Sequence, residues 1–447
     1  MENPVTPSNT TYQFVPRDDS IPEAEVLNVC SEIIQQCAKA LDYFPDSAKA
    51  IFNARAQAID LQRIVFLAGK TKLALRMTIT AMLLEGGSIQ ELEEILHWLD
   101  ILPPGAGASE YNGIKIALQF IQKFLTDAQK WLLFSFAFWS PAPASAASLH
   151  VIAAARESGK EIVDAASAED IVQLVVLGLL SYTIAPQSQI LPESLEIRER
   201  ISIDPYIAHK LRETGNEWNT YLQESAETIF SAAETVKMQL IEWAQNYIVT
   251  IAEDIGEYVA VHTHLADNSA DVLWELLRCE APHILLCLNY ADEMSAFSEI
   301  YEINLALIAP LRKVKDPSAA FLREQALLCG LKLAKRERDQ QRCMIYCLQL
   351  ADIRIDENQL EEAEEYTDTA LKAALAIIDF PAISFITLRM AAIQLRLQKF
   401  REARSTSIQA MLVAKSKHYQ TDFEQAKAIH DQAQIALGEN TESISKD

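Results

Sequence analysis

Glycine is scarce in this sequence, and its scarcity limits the kinds of site that the chain can build. The 447 residues include 12 glycines, and none of them precedes Gly69. Loops that cradle a phosphate with backbone N–H groups need closely spaced glycines. Gly69-Lys70-Thr71 has the last residues of such a loop, but Ile64 stands where its leading glycine must be. The sequence therefore predicts no bound nucleotide and no cofactor.

Paired cysteines are also lacking. The seven cysteines form no Cys-x-x-Cys pair, and Cys343 and Cys347 have no histidine or further cysteine nearby to complete a zinc set. We expect buried free thiols in a reducing, cytoplasmic setting. His262, His264 and Asp267 suit either half of a metal site or a surface loop, and the sequence places no second pair of ligands beside them. No metal is predicted.

Basic residues are outnumbered, 39 against 62 acidic ones, which gives a net charge of −23. Such a surface repels nucleic acid and anionic lipid; it favours solubility and would steer basic partners. The uncharged stretch 131–155 contains Pro141 and Pro143, which interrupt any membrane-spanning helix. It predicts two buried helices instead, the second over residues 145–155. A nucleophile motif such as Gly-x-Ser-x-Gly is absent from the sequence, so no enzyme is predicted.

Helical patterns fill most of the remaining chain, since Ala, Leu and Glu abound and apolar residues recur at helical spacing. Ser88 and Glu91 predict a capping box at the start of one helix. Two β-prone runs, 180–184 and 200–203, predict a hairpin, and with three helices this is the outline of a winged helix. Asp204, before Pro205, is predicted to cap the helix that follows.

An internal repeat with an offset of 40 residues appears near the carboxyl terminus. Backbones of crossing helices approach closely only where side chains are small, so recurring alanines predict the packing points of helical hairpins. The predicted repeat-packing residues are Ala351, Ala363, Ala370, Ala391, Ala403 and Ala410.

An acidic run lies within the first copy of this repeat. Glu361, Glu365 and Asp368 recur at the spacing of one helix face. They predict either a solvated face or a candidate partner patch for a basic peptide.

The repeat resembles the tetratricopeptide repeat. In LADIRIDENQLEEAEEYTDTALKAAL, small residues lie 12 and then 7 positions apart, as in that family, although the period is 40. The resemblance implies a solenoid of helical hairpins that binds another protein. The large aromatics usual in the family's first helix are missing, and Cys347 and Thr387 occupy one such position. The family's clamp for a peptide carboxylate is therefore not carried over.

A second resemblance spans residues 46–311. LAGKTKLALRM, GGSIQELEEIL, LTDAQKWLLFSFAFWSP, ISIDPYIAHKLRE and VLWELLRCEAPHILLCLNYA are similar, in this order, to blocks that follow the nucleotide-binding domain in signalling ATPases of the NB-ARC and STAND class. The family's winged helix ends on a histidine that senses the nucleotide, and Asp204 stands at that place. The resemblance therefore implies the helical, winged-helix and repeat portion of such a protein without its nucleotide-binding domain.

The sequence as a whole predicts a mainly α fold: a helical domain plus a small winged-helix-like domain, followed by an α-solenoid of tetratricopeptide-like hairpins. The predicted divisions are a disordered lead-in (1–21), an N-terminal helical domain (22–113), a winged-helix-like domain (114–213), a helical linker with degenerate repeats (214–317), tetratricopeptide-like repeats (318–437) and a disordered tail (438–447).

The function that we expect is that of a non-enzymatic, cytoplasmic adaptor or regulator that binds another protein, in bacterial signalling or defence. One alternative is a degenerate STAND-type switch that works with a nucleotide-binding domain supplied by a partner. Another is a winged-helix regulator that binds DNA. Residues 126–212 hold seven basic and ten acidic side chains, which disfavours DNA as a partner.

Overall fold

The computed structural model describes residues 20–41, 46–107, 109–139, 142–145, 155–157, 160–163, 167–187, 198–218, 232–261, 269–314 and 316–438. The chain divides into two compact units, Met1–Trp243 and Ala244–Asp447. The described part is mainly α-helical, as the sequence predicts. The predicted lead-in and tail fall outside it except for residues 20, 21 and 438, as do His262, His264 and Asp267. The predicted domain boundaries stay predictions.

The first unit begins with six helices. They are α1 (Val26–Ala40), α2 (Asp46–Ala58), α3 (Leu61–Ala68), α4 (Lys72–Thr80), α5 (Ile89–Leu99) and α6 (Glu110–Gln122). Between residues 74 and 80 every side chain of α4 except that of Arg76 is buried, and α4 contacts α1, α3 and α6. A π-helical turn, Ala81–Glu85, continues α4.

Polar side chains fix the ends of these helices. Ser88 and Glu91 form the predicted capping box at the start of α5. The Thr71 hydroxyl accepts a bond from the Ala74 N–H at 3.4 Å, so Gly69-Lys70-Thr71 forms the turn that starts α4. These contacts satisfy backbone donors that a helix end leaves without a partner.

Three further helices and a small sheet follow in the first unit. The helices are α7 (Asp127–Trp139), α8 (Ala168–Val176) and α9 (Pro205–Trp218); the strands are β1 (Ala144–Ser145), β2 (Ala155–Glu157), β3 (Lys160–Val163), β4 (Leu180–Ile184) and β5 (Glu199–Ile203). One antiparallel sheet has the order β1-β5-β4, and β2 pairs with β3 separately. The pairing of β4 with β5 confirms the predicted strands. Asp204 caps α9 as predicted, accepting a bond from the Tyr206 N–H at 2.8 Å.

The predicted helix over 145–155 is wrong at both of its ends. Ser145 belongs to β1 and Ala155 to β2, while residues 146–154 lie outside the described part. Ala144 pairs with Ile201 and Ser145 with Arg200, so bonds to a strand distant in sequence outweigh the helix preference of alanine. The uncharged part of α7 before it, from Trp131 to Trp139, is buried at every position. Among the described residues, no helix combines the length and apolar character that crossing a bilayer requires.

The second unit is a succession of helices. After α10 (Ala232–Val261), in which the division between the units falls, come α11 (Ser269–Leu277), α12 (Ala281–Met294), α13 (Phe297–Leu311), α14 (Pro317–Glu337), α15 (Gln340–Asp356), α16 (Leu360–Ile377), α17 (Phe380–Arg396), α18 (Phe400–Lys417) and α19 (Gln420–Ala436). From α12 to α19, each helix contacts the next one along the chain. Links of two or three residues join the helices from α14 on, so neighbouring helices run antiparallel.

The links repeat every twenty residues. Each contains one residue with a positive φ of 59° or 60°, and these residues are Arg338, Asn358, Ile378, Gln398 and His418. The N–H of the residue that follows bonds to a carbonyl five positions earlier, as from Asp339 to Ala334 at 2.9 Å. This closure satisfies carbonyls at the helix end. The internal repeat is thus present in the helix ends as well as in the recurring alanines.

Ile378 offers a test of these links. It is β-branched and 67% exposed, and its positive φ brings its Cβ close to the backbone, at a cost of roughly 1–2 kcal/mol. We expect Ile378→Gly to raise the free energy of unfolding by about 1 kcal/mol, measured by urea denaturation. The control, Asn358→Gly, should change it by a few tenths, because asparagine tolerates this conformation. A less stable Ile378→Gly variant would contradict the argument.

Candidate functional site

Three hairpins in the second unit share one register. Each pairs a first helix with a second helix: α13 with α14, α15 with α16, and α17 with α18; α19 follows them. Residues forty apart occupy equivalent positions. The six predicted repeat-packing alanines all lie in these helices and are at most 1% exposed. Ala351 lies on α15 and Ala391 on α17; Ala363 and Ala370 lie on α16, and Ala403 and Ala410 on α18.

Gly330 occupies the equivalent position in α14, forty residues before Ala370. A Cβ atom at Gly330 would lie 2.5 Å from Nδ2 of Asn304 and 2.7 Å from Cζ of Tyr346. Both distances are far inside van der Waals contact, so α14 approaches its neighbours more closely than alanine permits. Comparison of recurring alanines missed this position, although the forty-residue offset points to it.

Apolar side chains are exposed on the first helices at another equivalent position. Leu305 on α13, Ile345 on α15 and Phe385 on α17 are 81%, 41% and 51% exposed. We refer to the side of α13, α15 and α17 that carries these three residues as the first-helix face. Single exposed apolar residues are ordinary on protein surfaces, but a row of them on neighbouring helices marks a surface suited to a partner.

Ion pairs join the three first helices on this face. Asp352 lies seven residues after Ile345, two turns along the same side of α15. Its carboxylate lies 2.5 Å from Arg389 of α17 and 3.9 Å from Arg312, the residue directly after α13. The three helices therefore lie side by side, and two arginines share one carboxylate at this place.

A cavity of about 400 Å³ opens between α13 and α15. Leu305 and Ile345 form part of its wall. At its edge the Arg342 guanidinium lies 3.4 Å from the centroid of the Tyr301 ring, and the Tyr301 hydroxyl donates a 2.8 Å hydrogen bond to Glu337. Burial and this carboxylate raise the pKa of Tyr301 to about 12, so the hydroxyl stays protonated at neutral pH.

The predicted partner patch lies on α16, a second helix, and not on the first-helix face. Glu361 and Glu365 are exposed there, and Asp368 pairs with Lys372 at 2.5 Å. The patch is a set of solvated carboxylates, one of them already balanced by a lysine.

Metal-ligating clusters do not occur within the described part of the chain. All seven cysteines are free thiols, and five of them are buried. Burial raises the pKa of Cys30 and of Cys347 to about 11, which keeps both protonated and weakly nucleophilic at neutral pH.

Comparisons with known proteins give a similarity in structure but none in sequence family. No family model matches the sequence, and no curated protein matches it. Among solved structures, the chain is similar to a signal transduction ATPase with numerous domains (STAND protein) with a tetratricopeptide repeat sensor from Pyrococcus horikoshii. The two are 12% identical with a TM-score of 0.24, and the match covers 89% of this chain and 63% of that one. The chain thus spans less than two thirds of that protein, and a TM-score this low does not establish a shared fold.

Proposed function

We propose that the chain is a non-enzymatic adaptor or regulator that binds a partner protein through the first-helix face. The observation that carries this proposal is the exposed row formed by Leu305, Ile345 and Phe385. Burying such a row against a partner removes apolar surface from water, which is the main driving force of protein association. Arg389, held at 2.5 Å by Asp352 on the same face, supplies a polar contact of the kind that gives an interface its specificity.

The architecture that we propose for this role is an α-solenoid of tetratricopeptide-like hairpins. The shared register of the buried alanines and of the positive-φ links supports it. We also propose that α7, α8 and α9, with the β1-β5-β4 sheet, form a winged-helix-like domain. The sequence blocks that resemble STAND-class proteins suggest a cytoplasmic setting in bacterial signalling or defence.

Charge reversal on the first-helix face tests the proposed function. We expect the double variant Leu305→Glu/Phe385→Glu to lose a partner that the unaltered chain captures from its host, with affinity at least about tenfold weaker, because two carboxylates would enter an apolar interface. Leu412→Glu is the matched control: this leucine is 63% exposed but lies on the second helix α18. Captured proteins are compared by quantitative mass spectrometry, and circular dichroism checks that each variant folds.

Two outcomes would contradict the proposal. In one, the double variant and the control capture the same partner equally well. In the other, the unaltered chain captures no protein above the level seen with an unrelated acidic protein.

A further inference from the structure

Strand β4 lies at one edge of the β1-β5-β4 sheet in the first unit. Within the described residues, β5 is the one strand that pairs with it. Directly after β4, the Ala185 N–H bonds to the Arg198 carbonyl at 2.8 Å. In an antiparallel pair, residues that bond the neighbouring strand alternate with residues that do not, so the backbone N–H and C=O groups of Tyr182 and Ile184 point away from β5. Across the described part of the chain, no strand or turn bonds these outward groups.

The side chains of β4 leave this edge open. Leu180 lies opposite Ile203, and both are buried. The next residue on the same side of β4, Tyr182, lies opposite the buried Ile201 but is itself 45% exposed. Ile184 follows on that side and is 60% exposed. The apolar side of the sheet therefore extends beyond the part that this chain covers.

Strand β4 also lacks the features that protect a free edge. Its sequence, LSYTI, contains no charged residue and no proline, and its pairing with β5 runs without a bulge. Lysine, proline and bulges are the usual protection, because an unprotected edge pairs with another strand. Pro186 is the next residue in the outward series and has no N–H, so the donors of the open edge end with Ile184.

The open edge is complementary to itself. When two copies of β4 pair antiparallel about a twofold axis at Thr183, Tyr182 of each copy lies opposite Ile184 of the other. The outward backbone groups of these residues then exchange two hydrogen bonds in each pair. An aromatic residue opposite a β-branched one, and threonine opposite threonine, are favourable cross-strand pairs. The strand has no charge that would select a foreign segment instead.

We propose that the chain forms a dimer in which β4 pairs with β4 of a second copy, so that the two sheets become one. Each copy contributes the same edge, and the pairing uses both edges, so association stops at two copies. This inference is independent of the proposed function, which concerns the second unit. A dimer carries two first-helix faces.

Sedimentation velocity of the full chain measures the association. We expect the average mass to rise towards that of two chains between about 1 and about 100 µM, because two short strands bury less surface than a standard interface. The buffer contains about 0.15 M salt, which screens the repulsion between two acidic chains beyond about 8 Å.

Cysteine trapping tests the register of the pairing. In Thr183→Cys, the introduced thiols lie opposite each other in a non-hydrogen-bonded pair, with about 4.5 Å between the Cα atoms, a distance that a disulfide spans. We expect mild oxidation to link the two copies. Ser181→Cys is the matched control: Ser181 is also exposed, but its two copies would lie about 14 Å apart along the strands. It should give at least about fivefold less linked dimer.

Opposite charges test the twofold axis. Thr183→Lys and Thr183→Glu each place like charges opposite each other, and each should weaken the dimer by about fivefold. In an equal mixture of the two variants, lysine faces glutamate. We expect the mixed dimer to be at least about tenfold tighter than the dimer of either variant alone. Circular dichroism checks that each variant folds.

Three results would overturn the inference. In the first, the unaltered chain stays a monomer over the whole concentration range; if Thr183→Lys then loses a protein that the unaltered chain captures, β4 pairs with a strand of that protein instead. In the second, the two cysteine variants are linked equally. In the third, the mixture of Thr183→Lys and Thr183→Glu associates no better than each alone. A strand that was merely destabilised would not recover in the mixture, so this comparison holds even if the substitutions lower stability.

Discussion

Gly330→Ala is expected to lower the free energy of unfolding by about 2 kcal/mol, although alanine is the better helix former. Helix propensity alone would stabilise the variant by about 1 kcal/mol. The added methyl group would lie 2.5 Å from Asn304 and 2.7 Å from the Tyr346 ring, and overpacking of this kind costs up to about 3 kcal/mol. The second effect is larger, so the sign is destabilising. Urea denaturation with a linear extrapolation measures it.

The next hairpin suggests the compensating change. There Ala370 stands in place of Gly330 and Ile386 in place of Tyr346, and both belong to the same apolar cluster. We expect Tyr346→Ile to destabilise the chain alone but to recover at least about 1 kcal/mol in the presence of Gly330→Ala, as neighbouring residues in contact do. Two results would contradict this explanation. In one, the changes in free energy of unfolding of the two single variants add up to that of the double variant. In the other, Gly330→Ala is more stable than the unaltered chain.

Arg354→Gln is the second substitution with a large expected effect, a loss of about 2 kcal/mol. The Arg354 side chain is 14% exposed and joins three helices: it bonds to Glu324 of α14 and Glu357 after α15, and its Nε lies 2.7 Å from Glu362 of α16. Burial would lower the pKa of Arg354, but these bonded carboxylates raise it above its ordinary value. Removing the cation leaves the carboxylates facing one another.

The size of this effect comes mainly from Glu324. Its side chain is 16% exposed, whereas Glu357 and Glu362 are open to solvent and screened by it. Adding Glu324→Gln to Arg354→Gln should therefore restore part of the loss. The control is Arg396→Gln, since Arg396 is exposed and its bond to Asn358 is long at 3.3 Å. It should cost a few tenths of a kcal/mol, measured in the same urea titrations. If Arg354→Gln and Arg396→Gln lowered the free energy of unfolding equally, the stabilising role assigned to the ion pairs of Arg354 would be wrong.

Local sequence signals predicted the helix ends and strands that depend on neighbouring residues. The capping box of Ser88 and Glu91 and the pairing of β4 with β5 are of this kind. The strand conformation of Ser145 could not be predicted in the same way, because its strand partner lies fifty-five residues further along the chain. Interactions that form only in the folded chain overrode the local preference.

In the candidate site, too, some features follow from the sequence pattern and others only from the folded structure. Periodicity identifies equivalent positions, and the buried alanines lie at such positions. Periodicity does not say which equivalent positions face solvent. The row of Leu305, Ile345 and Phe385 could therefore be identified only after the helices were placed. The forty-residue offset points to Gly330, but its close approach to Asn304 and Tyr346 becomes evident only once the helices are placed.

The links that recur every twenty residues determine how the first-helix face can be lengthened. From α14 on, links forty residues apart have the same length and the same positive-φ position, so a forty-residue segment cut at two equivalent links has interchangeable ends. Duplicating the segment that contains α17 and α18 would add one more apolar side chain to the row without new kinds of junction. If the first-helix face binds a partner as proposed, gene duplication in units of one hairpin would lengthen the binding surface by one exposed apolar side chain at a time and leave the existing hairpins unchanged.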